Sequence, residues 1–393
     1  MKRRILVLTS RYPYPVIRGD KLRIYEICRE LSSHADLTLL CFCENRDEME
    51  HEAPNDGIFK SIERIYLPTW RSILNSFVAM LNTSLPLQIA YYTSATYKKR
   101  LEEILCQHDV CLAHLLRVGH YVQYSPIPTV LEMTDAISMA YGRLHGLKKV
   151  RGIKALIYKF EANRLLQYER AALNKYPIVS LVSTVDRDFL SKDAKNILIC
   201  SNGVHTRHLS VKDRTMSKPI IAFLGQMTAL HNLDACYYFA EEILPLVRQS
   251  IACTFRIVGS IHPKDAARLA RFPGVEIYNH VPNVEEALSD VRLGIAPLRI
   301  GSGIQNKLLE YMSLSLPVIA SPIALEGSYA QHEKELLVAS SPDEYVEQIK
   351  RIWNDGELRA QLASAGFSYV KEKHVWSQQL QPLVDALMGE NKM

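Results

Sequence analysis

The stretch "GSGIQNKLLEYMSLSLPVIAS", residues 301–321, decides how this chain folds. It reads in three pieces: a glycine-broken loop, a helical run carrying Lys307 and Glu310, and, after Pro317, the apolar run of a buried strand. Directly before it, "LGIAPL" (293–298) is another buried-strand run. Strand, glycine loop, helix and strand in that order form the repeating unit of a parallel sheet with helices on its faces. Gly301 and Gly303 then lie at the C-terminal end of a strand, with a helix N-terminus aimed at the same spot. Backbone N–H groups there approach an anion closely. Lys307 adds a point charge suited to a phosphate. Glu310, three residues on, shares its helix face and offers a carboxylate to two hydroxyls, as a ribose requires. Spacing alone equally allows a surface helix with a Lys/Glu pair beside a flexible loop.

Working outward, the rhythm repeats on both sides. "PIIAFLG" (219–225), "CTFRIVGS" (253–260) and "VEIYNHV" (275–281) are strands, with a helix at "NLDACYYFAEEILPLVRQS" (232–250). In the first half, "RRILVLTS", "DLTLLCF", "DVCLAHLL", "PTVLEMT" and "IVSLVS" are strands, with helices at "GDKLRIYEICRELSSH" and over about 150–175. Between the two series, 201–218 is polar and aperiodic, which marks a linker. The expected organisation is α/β: two Rossmann-like, doubly wound parallel-sheet domains, 1–200 and 219–373, with a last helix over about 374–393, around Trp376, returning to the first. Two such domains are expected to face each other across a cleft at the C-terminal edges of their sheets, where ligands of these folds bind.

The bulk numbers agree with this class. At 393 residues the chain is long enough for two or three domains, and 48% hydrophobic with 23% charged residues is a soluble composition. The apolar run at Ile5–Leu8 is too short for a secretory leader. The most apolar stretch, 72–92, is interrupted by Asn75, Asn82 and Pro86, so it reads as a buried or surface-docking helix rather than a membrane crossing. Eight cysteines without a CxxC pair read as free thiols. No His/Cys/Asp cluster has zinc spacing, and no metal is expected. The acids of "STVDRDFLS" (183–191) suit a helix start better than a metal site. No GxGxxG follows a strand, which disfavours a Rossmann dehydrogenase.

Net charge is +5, but nine of the 28 basic residues in the first 200 fall within 143–175. Interspersed Leu156, Ile157, Phe160, Leu165 and Leu166 make an anionic membrane surface the better partner for this run. Nucleic acid is not expected, because no base-stacking or recognition motif accompanies it.

The segment "GSGIQNKLLEYMSLSLPVIASPIALEG" (301–327) resembles the donor-site signature of glycosyltransferase family 4, and more narrowly that of sugar transferases from bacterial polysaccharide clusters. "RYPYPVIRGDKLRIYEICREL" (11–31), "SNGVH" (201–205) and "FLGQMTALHNLDACYYFAEEILP" (223–245) are similar to further segments of that family, in the same order. The resemblance implies a GT-B fold, a UDP- or GDP-linked sugar donor bound by the second domain, and an acceptor bound by the first. It also implies retention of anomeric configuration and no cofactor or metal. Carried over by position, Glu310 binds the ribose, and Lys307 with Gly301 and Gly303 faces the diphosphate or sugar. Ser302 stands where the family often has a first glutamate. Where many members place an Arg and a Lys on the phosphates soon after the first strand of the second domain, this chain reads Gly225-Gln226-Met227, with His231-Asn232 following. Gly19 matches a loop glycine near the donor phosphates, and Asp20 stands where a second is common.

Arg18 and Arg23, in the loop and helix after the first strand, are expected to face phosphate or acceptor, and Arg117 and His120, which also follow a strand, to line the acceptor side, with a structural role the competing reading for His120. Asp135 matches a catalytic-region position, from which a carboxylate would orient an acceptor hydroxyl or stabilise a cationic sugar; the competing reading is a helix N-cap at Thr134 or Asp135. The implied protein is a cytoplasmic, membrane-associating hexosyltransferase acting on a lipid-linked glycan. A nucleotide-sugar 2-epimerase of the same architecture, or a non-catalytic nucleotide-sugar-binding protein, remains open.

Overall fold

The computed structural model describes residues 2–16, 19–82, 85–145, 153–205, 218–281 and 283–389, with side chains at 20, 82, 144–145 and 153–159 left out. The chain divides into two compact units. One comprises Met1–Ser201 with Leu380–Met393, the other Asn202–Gln379.

The first unit is built on seven parallel strands: β1 (Arg3–Thr9), β2 (Ala35–Cys43), β3 (Ser61–Tyr66), β4 (Val110–His114), β5 (Thr129–Thr134), β6 (Ile178–Leu181) and β7 (Ile197–Ile199). Their spatial order is β3-β2-β1-β4-β5-β6-β7. The near-continuous apolar runs of β1 and β4 are buried throughout their central residues, as strands covered on both faces must be. The helix Gly19–Ser32 follows β1 and turns Ile24, Ile27, Cys28 and Leu31 inward. β3 and β7 were not anticipated; β3 is half-exposed and lacks the apolar run that marked the others. The 72–92 stretch forms two helices, Thr69–Asn82 and Leu87–Tyr91, broken at Pro86.

The second unit holds six parallel strands: β8 (Ile220–Leu224), β9 (Thr254–Val258), β10 (Val275–Tyr278), β11 (Leu293–Ala296), β12 (Val318–Ala320) and β13 (Leu337–Val338). They are ordered β10-β9-β8-β11-β12-β13. The helix after β8 runs from Leu230 and changes to a π turn at Phe239–Ile243 just before Pro245. The wider turn accommodates a proline that cannot donate to the ladder. In both units the strand order reverses beside the first strand, between β1 and β4 and between β8 and β11. The crevice outside the strand C-termini at such a reversal is where open α/β sheets bind ligands.

All eight cysteines are free, seven of them buried. Among the described residues no helix is long and apolar enough to cross a membrane.

Candidate functional site

In the second unit the site grows from the reversal between β8 and β11. The chain leaves β8 at Gly225 and passes β9's end at Gly259, where the two backbones touch. A Cβ on Gly259, whose φ is +126°, would lie 1.9 Å from the Gly225 carbonyl oxygen. Only glycine permits that approach. The loop after β11 leads into the helix Asn306–Ser313, and Tyr311 bolts this helix to the sheet. Its hydroxyl accepts from the Leu224 N–H at 2.6 Å and donates to the Ala222 carbonyl at 3.2 Å. Its ring lies where a side chain on Gly294 of β11 would be. The helix register, and with it the direction of Lys307, is thereby fixed.

Lys307 is buried and stands over the Phe223 ring, 5.2 Å from its centroid. Its ammonium donates to Asn232 Oδ1 at 3.0 Å and to Gln305 Oε1 at 3.1 Å. The same two side chains reach onward through their amide nitrogens: Asn232 donates to the Gln226 carbonyl at 3.0 Å, and Gln305 to the Ser302 carbonyl at 3.2 Å. One network thus joins Gln226, Ser302 and Lys307, three residues singled out from the sequence. Asn232 and Gln305, which hold them together, were not assigned a role there. The available signal was a buried amide one turn into the helix after β8 and another two residues before the lysine.

Burial pulls the Lys307 amine down to about 8, against the opposing charge of Glu310. Glu310 is half-buried, and its carboxylate accepts no hydrogen bond among the described residues. Burial pushes its carboxyl up to about 7, with Lys307 pulling the other way. Burial and then the Lys307 charge bring the His231 imidazole down to about 4, so it stays neutral beside the ammonium. Gly303 has φ +63°, in the left-handed region. Gly301 is sterically less constrained: a Cβ there would come no nearer than 3.4 Å to Gln305. A cation that keeps only neutral partners, beside a carboxylate with spare acceptor capacity, suits an anion carrying hydroxyls.

In the first unit the ends of β4 and β5 carry a second constellation. Glu132 is fully buried; it accepts from Arg23 Nε at 2.8 Å and pairs with His114 Nδ1 at 2.5 Å. Burial alone would raise this carboxyl, but the Arg23 charge and the His114 contacts hold it near 2. Arg23 also donates to the carbonyls of Cys200 and Ser201. The expectation that Arg23 faces phosphate or acceptor is therefore corrected: it is buried and spent on an internal pair. His114 Nε2 is buried without a partner among the described residues. Leu115 and Thr134, next to this cluster, have φ of +70° and +68°. Left-handed backbone at non-glycine residues on two adjacent strand ends costs energy that the surrounding packing has to offset. Nothing in the run "VCLAH" distinguished His114 from a core residue; its partner 18 residues away reveals it.

Asp135 directly follows the strained Thr134 and is half-buried. The next helix, Ile137–His145, begins two residues later, and the Ala136 N–H between them is taken by Asp186 Oδ1 at 3.0 Å. Asp186 lies in the first turn of its own helix, capped by Ser183, a structural place as expected. Glu169, buried against Ser138, is pushed up to about 8 by burial, with the charge of Asp135 adding to the rise.

Gly19 opens the helix after β1 and is exposed. Arg18 lies outside the described residues, as do 146–152 of the basic run. Arg117 donates to Gln88 Oε1 at 3.3 Å and sits 5.7 Å from the Tyr92 ring centroid. His120 was expected on the acceptor side. It instead borders a cavity of about 10 Å³ with Tyr168, Lys175 and Tyr176, room for a single water and not for a glycan. Burial lowers its imidazole to about 4, and both ring nitrogens lack partners among the described residues. Of the apolar residues expected to face a membrane, Leu165 is buried in the core and Leu166 packs on it, whereas Phe160 is exposed; Leu156 and Ile157 lie among the side chains left out. Among the described residues no group of three or more His, Cys, Asp or Glu side chains is placed to hold a metal ion.

Residues 218–355, which contain the whole Gly225–Glu310 constellation, match the family described as Glycosyl transferases group 1. A 44.6 kDa protein in the cps region of Klebsiella pneumoniae is 21% identical over 389 residues, covering 94% of this chain and 96% of that protein. Glycosyltransferase 1 domain-containing protein 1 of Xenopus tropicalis is 27% identical over 110 residues, 28% of this chain, and the match spans only 32% of that protein. Among solved structures, Anabaena Alr3699/HepE in complex with UDP and glucose superposes with a TM-score of 0.70 at 12% identity, covering 98% of this chain and 100% of that one. The resemblance read from residues 301–327 holds, and the fold is the expected one: two parallel-sheet α/β domains of the GT-B glycosyltransferase type.

Proposed function

We propose that this chain, a group 1 glycosyltransferase by the match over residues 218–355, moves a hexose from a nucleotide-sugar to a hydroxyl of a lipid-linked glycan during synthesis of a surface polysaccharide. The observation that carries the reading is the network at the β8/β11 reversal, which holds a buried ammonium on neutral amides and leaves the Glu310 carboxylate unoccupied. Lys307 and the loop N–H groups neutralise the diphosphate, and Glu310 accepts from the ribose hydroxyls. The UDP bound by the Anabaena protein supports a UDP donor, with GDP the alternative. The cps location of the Klebsiella relative supports the polysaccharide role.

Transfer proceeds with retention and without a metal or cofactor. The bond from the anomeric carbon to the diphosphate breaks while that to the acceptor oxygen forms on the same face. The acceptor proton passes to the leaving phosphate oxygen, and Asp135 orients the acceptor hydroxyl. Ser302 and Gln226 contribute backbone carbonyls to the network and carry no charge to the donor. The enzyme works in the cytoplasm at the inner face of the membrane.

Thermal-shift titration against UDP- and GDP-sugars is the first test. One donor raises the melting temperature, and Glu310→Ala weakens that donor by more than about tenfold while leaving the fold intact. Lys307→Ala abolishes transfer. Melting indifferent to every donor removes the reading, and conversion of the donor to an epimer without an acceptor replaces transfer by epimerisation.

A further inference from the structure

The helix Thr69–Asn82 in the first unit is built inside out. Trp70, Ile73, Leu74, Phe77, Val78 and Leu81 recur at helical spacing, and all six are exposed. The face turned to the protein is small and polar: Ser72 and Ala79 are buried, Asn75 donates to the Thr93 carbonyl, and Ser76 donates to the Leu87 carbonyl. A helix of a water-soluble domain orients its faces the other way, and a stripe of this size turned outward marks a docking surface.

The charge around it says what docks. From Arg64 to Leu101 the sequence contains no Asp or Glu, and Arg71 on the helix is exposed. From Ala136 to Phe160 there is again no acid, but six Lys or Arg: Arg143, Lys148, Lys149, Arg151, Lys154 and Lys159. The fold joins these two acid-free segments. Arg164, in the helix Ile153–Leu173, donates to the carbonyls of Ala79 and Leu85, and Glu161 accepts from the Leu87 N–H at 2.5 Å. Phe160, one turn before Arg164, is exposed with its ring 5.2 Å from that guanidinium. The basic run therefore ends beside the apolar stripe.

We propose that the 69–82 helix lies in the surface of an anionic lipid bilayer, its stripe among the acyl chains and Arg71 at the level of the headgroups. A second copy of the chain is the poorer occupant, because a two-fold contact through this face sets one basic rim against another. The idea deepens the reading of a lipid-linked acceptor, on which its biological purpose rests; the binding itself does not depend on that reading.

The full-length protein is sedimented with vesicles of phosphatidylcholine and of phosphatidylcholine mixed with phosphatidylglycerol. Trp70 reports directly, since Trp376 is buried and Trp353 is covered by Arg292. Binding to the anionic vesicles, weakened by salt, with a blue shift and quenching by brominated lipid, is the expected result. F77S/L81S lowers that binding by about tenfold or more while keeping the wild-type melting temperature and donor shift. Equal binding to neutral vesicles, binding unchanged in F77S/L81S, or a wild-type dimer that F77S/L81S dissolves overturns the proposal. Vesicle binding without any donor shift leaves this inference standing and removes the glycosyltransferase reading instead.

Discussion

Lys307 and Glu310 show how a site is tuned against stability. Glu310 moves from 4.5 to about 7 on folding and Lys307 from 10.5 to about 8, each because burial disfavours its charge. For the carboxyl, the folded state holds the extra proton, so its contribution to stability is present below 4.5 and lost as pH rises to about 7. For the amine, the unfolded state holds the extra proton, so stability returns as pH rises from about 8 towards 10.5. The pair is least favourable to the empty fold between about 7 and 8, where both charges exist. Under the proposed function donor binding uses both charges, so affinity should peak in that interval and fall on either side. Calorimetry across pH checks this, and Glu310→Gln should flatten the acid limb only. Asn232→Ala, which leaves the lysine to Gln305 alone, should weaken the donor by several-fold, about 1 kcal/mol, with little change in melting.

At the scale of elements, the site depends on how closely β8, β9 and β11 approach their neighbours. A methyl on Gly259 would meet the Gly225 carbonyl at 1.9 Å in a left-handed backbone, so Gly259→Ala should cost about 3 kcal/mol or more, read by urea denaturation. Gly225→Ala meets only the Asn232 amide, at 2.9 Å, the end of a side chain that can move. It should lose donor affinity rather than stability. The contrast separates a glycine needed by the sheet from one needed by the lysine network.

At the scale of the molecule, the chain is not partitioned in simple sequence order: Leu380–Met393 belongs to the first unit. Leu380, Leu383 and Leu387 are fully buried there, at i, i+3 and i+7 of one helix. Leu383→Ala should destabilise that unit by about 2–5 kcal/mol, and truncation after Gln379 should leave it unable to fold, both visible in thermal melts. A melt unaffected by truncation would show that the tail is dispensable.

Periodicity and strand-end glycines determined much of this protein by themselves. Most strands of both sheets, and the place of the Gly301–Gly303 loop and of Lys307 and Glu310 on the helix after a strand end, were legible because these are local patterns; the edge strands β3 and β7 and the order of the strands were not. The tertiary structure alone decided what depends on partners distant in sequence. It gave Lys307 to Asn232, 75 residues away, and Arg23 to Glu132, 109 residues away. It also turned the stripe of the 69–82 helix outward, since an amphipathic period states that a helix has two faces and only packing states which one meets water.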